Sequence, residues 1–401
     1  MKMRKKKKVL IIHHARGMGG ATISMLKLIR SLKEKDYEVK ILFLKKPLIE
    51  SVLKENRINY SIAESLFYRK YYKSFVHSEA NYLKWYQVLS FINLSLCWLL
   101  SRFYFARKEL ENHSYDIVHL NSSVLTDWLA FARDKGEAII HIREPFRNGR
   151  FDFKRVIFLR QMHKYASHII SISQDNLSRL GVFRNSSVIY NYADFPSRNP
   201  NYTSYSSKKV LYVGGAKSIK GFYTVVDSLD YLNSDIKVYF AGKYTINDKD
   251  KMSLKNIFKR LIFYDKKKNT AIKKINNHPK AEMIGFIKNI NEYLDKVCCL
   301  ISPFTVPHFS RPVIEAHLHK KPAIGTKVDG MDEIIEHEKN GILVPVNNSQ
   351  ALAKAINDLT SDSKKAKNYG DAGYKIAREK FSENNINQFI EVYDNLLFKH
   401  S

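Results

Sequence analysis

Two glycine-bearing turns have the residue types that phosphate binding needs, and the first lies in HHARGMGGATISM. Gly19 and Gly20 follow a strand-like run and open a helix-like run, so backbone N–H groups there can approach a phosphate or a sugar. A nicotinamide-dinucleotide fingerprint is one alternative. It requires a third glycine where this chain has Thr22, and an acid where it has Lys45 and Lys46. A glycine turn that binds no ligand is another.

The second turn, KVLYVGGAKSIKGF, adds positive charge. Gly214 and Gly215 end its strand-like run, and Lys217 and Lys220 follow within reach of one turn. Close backbone approach at glycine, together with lysine as a point charge, suits a diphosphate. The alternative is a pair of solvated lysines.

The segment PHFSRPVIEAHLHKKPAIGT (307–326) predicts a helix whose first turn can hold an anion. Ser310 stands at the N-cap position, and Arg311 and Pro312 fill the first turn, where proline is tolerated. The N-terminus of a helix carries unpaired N–H groups and a partial positive charge. Glu315, one turn in, can accept two hydrogen bonds from vicinal hydroxyls such as those of a ribose. The alternative is a carboxylate that only complements the helix dipole, worth about 0.3–1 kcal/mol.

Short apolar runs alternate with helix-like stretches along the chain. The first half has KVLII, YEVKILFL, YDIVHLN, AIIHIRE, HIISIS and SVIYN, and the second has KVLYVGG, KVYFAGK, AEMIGFI, VCCLISP, KPAIGT and GILVPV. This alternation predicts an α/β protein with two doubly wound parallel sheets. In such sheets ligands bind beyond the carboxyl ends of the strands, so we expect a cleft between the two domains.

The domain boundaries follow from changes in composition. The polar, proline- and serine-rich segment 195–209 predicts a linker, which gives domains over 1–200 and 201–380. A Lys/Asn-rich insertion interrupts the second domain at about 245–280. The final segment, 381–401, predicts an amphipathic helix that packs back toward the N-terminal domain.

The order of these segments resembles the retaining glycosyltransferases of family 4, which are group 1 glycosyltransferases with the GT-B fold. The likeness runs from strand–GG–helix through IIHIRE, VIYNYAD, YVGG…KG and GFI to ISPF…FSRPVIEAHLHKKPAIGTKVDGMDEII…NGILVPV. It covers the chain except for about 50–115 and 245–280, and its second half is the more specific. It implies two Rossmann-like domains, of which the N-terminal binds the acceptor and the C-terminal binds a nucleotide sugar.

The resemblance also assigns roles to individual residues. Glu315 matches the second glutamate of the paired-glutamate motif, which holds the ribose, and Lys220 matches the lysine that contacts the donor diphosphate. Gly330 and Glu333 match the GG-x-x-E turn after the next strand. The two turns, the helix start and the resemblance together give the candidate donor-binding residues. They are Gly19, Gly20, Gly214, Gly215, Lys217, Ser310, Arg311, Pro312, Glu315, Gly330 and Glu333.

The chain departs from the family pattern at two of these places. Pro307 stands eight residues before Glu315, where the family has the glutamate that touches the transferred sugar. Gly215 stands where the family usually has an arginine beside the diphosphate lysine. The hypothesis is that Arg311 or Lys217 supplies the missing charge.

The run IIHIRE matches the place where the family often has a histidine after the third or fourth strand. We interpret His141 as a packed strand residue and Arg143 as the one that reaches the phosphate or the sugar. The candidate catalytic residues are therefore Lys220, Arg143 and Glu315. The resemblance implies retention of configuration, with side-chain cations in place of a metal, so we expect no metal and no cofactor.

The composition favours an anionic partner. The formal net charge is +28, from 67 basic and 39 acidic residues. A phosphorylated substrate, an anionic bilayer and nucleic acid all fit this charge, as does a merely lysine-rich surface. Three cysteines without a CxxC pair indicate buried thiols and a reducing compartment, which we take to be the cytoplasm.

An aromatic and basic insertion, at about 64–108, is the most unusual part of the first half. Within 82–110 (YLKWYQVLSFINLSLCWLLSRFYFARKEL) the apolar stretch has roughly 15 residues, fewer than the ~20 of a spanning helix. Aromatic and basic residues at its ends suit a helix lying in a membrane interface. A core helix lining the acceptor cleft is the alternative. The surplus of basic residues favours the anionic membrane surface.

Together these features predict a glycosyltransferase that moves a sugar from a nucleotide-diphosphate sugar to a lipid-linked or cell-surface glycan precursor. We expect it to be peripheral on the inner face of the cytoplasmic membrane. One alternative is another GT-B enzyme such as a nucleotide-sugar epimerase. Another is a non-catalytic basic protein that binds membrane or nucleic acid. No nucleic-acid-binding signature is present in the sequence, so we expect no nucleic-acid partner.

Overall fold

In a computed structural model of the chain, the structure divides into two compact units. The first unit contains Met1–Tyr192 and Glu383–Ser401, and the second contains Ala193–Ser382. The described residues are 6–76, 78, 88–111, 114–148, 152–193, 202–244, 266–287, 289–382 and 384–398. Most of the predicted linker, the start of the segment 82–110 and much of the Lys/Asn-rich insertion lie outside them.

The strands come from the short apolar runs of the sequence. They are β1 Lys7–His13, β2 Tyr37–Phe43, β3 Asn59–Ile62, β4 Ile117–Leu120, β5 Glu137–Ile142, β6 His168–Ser171, β7 Ser186–Val188, β8 Lys209–Val213, β9 Lys237–Ala241, β10 Ala281–Gly285, β11 Cys299–Ser302, β12 Ala323–Thr326 and β13 Gly341–Val344. Only β3 was not predicted. Its sequence, NYSI, is polar because it is an edge strand that pairs with β2 alone.

The α-helices lie between the strands and at the C-terminal end. They are α1 Gly20–Glu34, α2 Glu50–Glu55, α3 Val88–Leu100, α4 Ala106–Leu110, α5 Leu129–Lys135, α6 Phe153–Tyr165, α7 Gln174–Ser178, α8 Phe222–Ser228, α9 Lys266–Asn277, α10 Asn291–Leu294, α11 Arg311–Leu318, α12 Ser349–Ser361, α13 Ser363–Lys380 and α14 Asn385–Phe398. Short 3₁₀-helical segments, such as Ser123–Trp128 and Ser218–Lys220, connect several of them.

Each unit is built on one doubly wound sheet in which the named strands pair parallel. The first has the order β3-β2-β1-β4-β5-β6-β7 and the second β10-β9-β8-β11-β12-β13. In both, the first strand of the unit is an interior strand. The next two strands are added on one side of it, and the chain then crosses over and adds the remaining strands on the other side. A crevice opens at such a switch point, between the carboxyl ends of β1 and β4 and between those of β8 and β11. The fold class predicted for each half is therefore confirmed.

Apolar side chains on both faces of each sheet form the cores, as expected for buried parallel strands. Ile11 and Ile301 are fully buried, for example, in the middle of the first and second sheets. Cys97, Cys298 and Cys299 are buried free thiols, so the prediction of buried thiols for the vicinal pair is confirmed.

The C-terminal helix α14 belongs to the core of the first unit. Phe389, Tyr393 and Leu396 pack in the same apolar cluster as the inner residues of β1 and β2. The hydroxyl of Tyr393 lies 2.7 Å from Nδ1 of His119, and Asp394 accepts a hydrogen bond from the hydroxyl of Tyr37 at 2.5 Å. The chain thus returns from the second unit to complete the core of the first.

Gly221, at the start of α8, has both a left-handed backbone and no room for a side chain. Its φ is +71°, and a Cβ would lie 1.9 Å from the carbonyl oxygen of Pro303. Gly285, in the same unit, has φ +72° and nothing within 4 Å of an added Cβ. The two glycines share the conformational cost of substitution and differ only in steric room.

We predict that Gly221→Ala destabilises the protein more than Gly285→Ala does. The extra cost is roughly 1–3 kcal/mol, because alanine must push the backbone of Pro303 away. At about 2–4 °C per kcal/mol, this lowers the melting temperature by several degrees relative to Gly285→Ala. Calorimetry of both variants measures the difference. Equal melting temperatures would show that the contact between the loops is loose.

Candidate functional site

The loop after β8 has a buried glycine backbone, and Lys217 and Lys220 follow it with exposed and half-buried side chains. Gly215 has φ +59°, and a Cβ on Gly214 would lie 2.0 Å from the hydroxyl oxygen of Tyr212. That hydroxyl hydrogen-bonds the carbonyls of both Gly215 and Lys220 at 3.2 Å. Two glycines and one tyrosine therefore fix the predicted diphosphate turn from the inside.

A second loop, which follows β11, is joined to this turn. The strands β8 and β11 are neighbours, so their carboxyl ends lie side by side. The N–H of Thr305 donates to the carbonyl of Ile219 at 3.0 Å, and Gly221 lies against Pro303. The chain segment that carries Lys220 is thereby placed beside the segment that leads into α11.

Lys220 is a half-buried cation between these loops. Burial lowers its pKa below the usual value for lysine, and the neighbouring charge of Lys217 lowers it further. Its Nζ lies 5.9 Å from the ring centroid of Phe304. Among the described residues no acceptor pairs with this ammonium group. A desolvated cation without a counter-ion favours an anionic ligand.

The helix α11 begins as predicted at Arg311, with Ser310 at the N-cap and Pro312 in the first turn. The predicted capping bond is not formed, however, because the hydroxyl of Ser310 bonds that of Ser302 at 2.9 Å instead. No side chain therefore caps the first turn of α11, in which Pro312 has no N–H and the N–H of Val313 bonds the carbonyl of Ser310 at 3.2 Å. The positive end of the helix dipole at this turn still favours an anion.

Glu315 is paired within the same helix. Nε of Arg311 donates to Oε1 of Glu315 at 2.8 Å, and both side chains are largely buried. The pair orients the carboxylate and offsets its charge. Arg311 therefore acts on Glu315 directly, which the sequence did not show because i,i+4 pairing is common on any helix.

The position of the missing motif glutamate lies in a rigid aromatic loop. Pro307 follows the β11 loop, and the rings of Phe304 and His308 on either side of it stack at 3.7 Å between centroids. Burial and the charge of Lys220 lower the pKa of His308 to about 3, so the imidazole is neutral at physiological pH. Neither ring was singled out by sequence, although both follow a buried strand.

The turn after β12 holds the other two predicted donor-binding residues. Gly330 has φ +82°, a conformation that glycine adopts without strain. The carbonyl of Asp329, just before it, accepts a hydrogen bond from the N–H of His308 at 3.0 Å. Glu333 is half-buried in the same turn. The turn is thus connected to the aromatic loop through one backbone hydrogen bond.

In the first unit, Gly19 and Gly20 lie exposed at the N-terminus of α1. A Cβ on either would meet nothing within 4 Å, so no packing within the unit requires glycine there. The side chain of Thr22, in the helix's first turn, is turned back to the carbonyl of Gly17 at 2.8 Å. The open space over the helix N-terminus is compatible with a ligand that approaches the backbone closely.

Arg143 lies at the carboxyl end of β5, where two asparagines hold it. Its Nε donates to Asn121 Oδ1 at 2.8 Å, and Nη1 donates to Asn191 Oδ1 at 3.1 Å. Asn121 follows β4 and also bonds Nδ1 of His13 at 3.0 Å. Neither asparagine was predicted from the sequence as a site residue, although each comes soon after a strand end.

Glu144 forms a second polar contact at this edge. Its carboxylate accepts hydrogen bonds from the hydroxyls of Ser122 at 2.8 Å and Ser123 at 3.0 Å. The strand ends of β4 and β5 therefore present an arginine and a carboxylate next to each other. Both stand at the crevice where a substrate of the first unit would bind.

His141 is a packed strand residue, as interpreted from the sequence. It is 1% exposed and contacts His119 and Phe389. Burial, and after it the charge of Arg143, hold its pKa well below the usual value for histidine. It therefore stays neutral and supports Arg143 from the core side. Across the described ranges, no three His, Cys, Asp or Glu side chains form a metal-binding cluster.

One protein family matches most of the second unit. The family described as glycosyl transferases group 1 matches residues 197–376. The chain is also similar to an uncharacterized glycosyltransferase of Methanocaldococcus jannaschii, with 21% identity over 396 residues that cover 94% of this chain and 95% of the relative.

Solved structures show the same fold over both units. The Anabaena protein HepE in complex with UDP and glucose has a TM-score of 0.70 at 18% identity, covering 96% of this chain and 98% of HepE. The lipopolysaccharide outer core galactosyltransferase WaaB has a TM-score of 0.63 at 17% identity, covering 97% and 99%. The fold implied by the resemblance is confirmed: the chain has the GT-B fold, and its residues 197–376 match the group 1 glycosyltransferase family.

Proposed function

We propose that this protein is a retaining glycosyltransferase that moves a sugar from a nucleotide-diphosphate sugar to a lipid-linked or cell-surface glycan precursor. The observation that carries the proposal is Lys220, a desolvated cation with no counter-ion among the described residues. It lies between the glycine loop and the segment that leads into α11, where the charge of a diphosphate would compensate it.

The leaving group determines what these residues do in the reaction. When the bond between the sugar and the diphosphate breaks, negative charge accumulates on the leaving phosphate. Lys220 and the positive end of the α11 helix dipole lower the barrier by stabilising that charge, and no metal is needed for this step. Arg143, which two asparagines hold in the first unit, is the candidate for contact with the phosphate or the sugar.

Glu315 binds the nucleoside part of the donor in this proposal. Arg311 occupies Oε1, so Oε2 accepts from the ribose hydroxyls while the ion pair keeps the carboxylate in place. Pro307 offers no such contact to the transferred sugar. The neutral His308 and the turn at Gly330 are the neighbouring groups that take its place.

The names of similar proteins indicate which ligands to test first. HepE structures contain UDP, UDP with glucose, or UDP-glucose. WaaB is described as acting on the outer core of lipopolysaccharide, which is a lipid-linked glycan. We therefore take UDP as the first donor nucleotide and a lipid-linked acceptor as the first acceptor class.

The helix region 88–110 supports a position at the membrane surface. Side chains at a spacing of three and four residues form an exposed apolar stripe: Leu89, Ile92, Leu96, Leu99 and Phe103, between 44% and 84% exposed. Exposed Arg107 and Lys108 follow it. An apolar face with basic residues at its end is typical of helices that lie on anionic bilayers.

The opposite face of this helix region packs against the protein core. Trp98 is buried and donates from Nε1 to Thr126 Oγ1 at 3.2 Å, and Ser101 bonds the hydroxyl of Tyr68 at 2.6 Å. The continuous helix of 23 residues, Val88–Leu110, is long and apolar enough to cross a bilayer, which corrects the expectation that this segment is too short to span. Its core contacts favour a helix lying in the interface over one that spans the bilayer.

We predict that UDP raises the melting temperature of the protein and that GDP does so less. A ligand at 100-fold excess over its dissociation constant adds about 2.7 kcal/mol of stability. Lys220→Ala and Glu315→Ala each remove charged hydrogen bonds worth about 1.5–3 kcal/mol, so UDP affinity falls on the order of 10- to 100-fold. Thermal shift and titration calorimetry measure both effects. Lys339→Ala, an exposed lysine of the same unit, is the matched control.

Activity measurements separate the competing functions. Transfer to a lipid-linked acceptor that persists in EDTA, with the product anomer matching the donor anomer, supports the proposal. Conversion of the nucleotide sugar without any acceptor would indicate an epimerase instead. Absence of a response to every nucleotide diphosphate and nucleotide sugar would leave a non-catalytic protein on this fold.

We predict that UDP affinity falls with rising pH in the alkaline range. Only the charged form of Lys220 attracts the diphosphate, so the pKa of Lys220 is higher in the complex than in the free protein. In the free protein that pKa is lowered. At a pH above the pKa of the free protein, binding therefore takes up a proton. Calorimetry in buffers of different ionisation enthalpy measures that proton. Lys220→Arg keeps the charge to higher pH and removes the decline. A decline of the same size in Lys220→Arg would assign it to another group.

We predict that the double variant Leu89→Glu/Leu96→Glu binds anionic vesicles at least about tenfold more weakly, because two apolar side chains no longer enter the interface. The matched control is Leu48→Glu/Val182→Glu, which makes the same charge change at residues 71% and 92% exposed in the same unit. Co-sedimentation with phosphatidylglycerol vesicles measures the difference. Equal weakening in both variants would show that the added negative charge, and not the loss of the apolar stripe, weakens vesicle binding.

A further inference from the structure

An apolar cavity lies beneath the exposed stripe of α3, and neither the donor site nor the membrane stripe accounts for it. Its volume is about 300 Å³, and its described lining is Phe75, Phe91, Ser95, Trp98, Leu99, Lys154, Ile157 and Phe158. Small-molecule sites have volumes of about 300–1,000 Å³, so this cavity suits a single chain and not a whole lipid.

The mouth of the cavity lies in the apolar surface of the first unit. Leu99 belongs to the exposed stripe of α3, and Ile157 on α6 is 40% exposed. Inside, Phe75 and Phe158 meet edge to face at 5.5 Å, and Trp98 contacts Phe158 at 5.9 Å. The exposed side of the cavity lining is therefore apolar at Leu99 and Ile157, which suits the entry of a hydrocarbon chain from a bilayer surface.

Lys154 supplies a positive charge beside the apolar lining. Its Nζ lies 5.7 Å from the ring centroid of Phe91, and burial is the main cause that lowers its pKa below the usual value for lysine. Asp152 and Arg147 are the charged neighbours that act on it, with opposite sign. A cation partly removed from water beside an apolar cavity matches a molecule with a hydrocarbon chain and an anionic head.

The cavity is connected to the polar edge of the sheet in the same unit. Trp98 donates to Thr126 in the turn Ser123–Trp128, and Ser123, which begins that turn, holds Glu144. From Glu144 the chain continues to Arg147, whose charge acts on Lys154. Two lining residues of the cavity, Trp98 and Lys154, are thus linked to the chain segments that carry Glu144.

We propose that the cavity between α3 and α6 binds one hydrocarbon chain of the phosphorylated lipid acceptor, with Lys154 beside the phosphate. This deepens the proposed function and rests on it, because it identifies the acceptor as a lipid phosphate held by its chain. The exposed stripe binds the bilayer surface, and the cavity selects the acceptor from it.

The test uses a probe whose signal arises in the cavity. Dodecyl phosphate with a bromine at the end of its chain, used as monomers below its micellar concentration, quenches tryptophan fluorescence at close range, and Trp98 lines the cavity. We expect saturable quenching of the full-length protein. Bromododecanol, which lacks the phosphate, is expected to bind more weakly, since it has no charge for Lys154.

Variants that fill the cavity separate it from the membrane stripe. Ser95→Phe puts a ring into the cavity and keeps the apolar surface, so we expect affinity for the brominated phosphate to fall at least about tenfold, as each methylene kept out of the site costs about fourfold. Vesicle binding stays unchanged. Ser90→Phe, at an exposed position of the same helix, is the matched control. Ile157→Trp fills the cavity from α6 if Ser95→Phe does not fold.

The charge is tested in the same way. Lys154→Gln is expected to weaken the phosphate and leave the alcohol unchanged, whereas Lys164→Gln, an exposed lysine on the same helix, changes neither. Unaltered quenching in both Ser95→Phe and Ile157→Trp, or no saturable quenching in the unmodified protein, would overturn the proposal. The UDP melting shift on the same preparations shows independently whether the donor site works, so failure of one proposal is distinguishable from failure of the other.

Discussion

The close contact between two loops of the second unit is the constraint on which its candidate site depends. Gly221 approaches the carbonyl of Pro303 so closely that no side chain fits, and Thr305 hydrogen-bonds Ile219 across the same gap. Without this contact the turn that carries Lys220 and the segment leading to α11 would be separate surface loops. With it, a lysine, a glycine turn and a helix N-terminus lie around one small region.

Electrostatics explains why that region suits an anion. Lys220 is desolvated and lies near another lysine, and each effect disfavours its charged form. Glu315 does not neutralise it, because Arg311 already pairs with that carboxylate. A folded protein retains such an uncompensated cation at a cost in stability, and in the proposed function a bound diphosphate offsets that cost. The same separation of charges allows phosphate and ribose to be bound by neighbouring groups of opposite sign.

The first unit combines two surfaces of different chemistry. Arg143 and Glu144 are held by short polar side chains at the carboxyl edge of the sheet. The helix region 88–110 has apolar side chains on both of its faces, one packed into the core and one exposed. A transferase whose acceptor has a polar head and a hydrocarbon tail needs both surfaces in one domain.

The sequence alone predicted two doubly wound sheets and the runs that form their strands other than β3, and it named Gly214, Lys220 and Glu315 as donor-site candidates, because buried parallel strands and the turns after them have strong local signals. The polar edge strand β3 has no such signal and was missed. Only the tertiary structure decided that Ser310 bonds Ser302 and does not cap α11, and that Arg311 pairs with Glu315. It also placed Phe304 over Lys220 and formed the cavity under α3. These features depend on contacts between elements distant in the chain or on a choice of rotamer, which residue type and spacing do not encode.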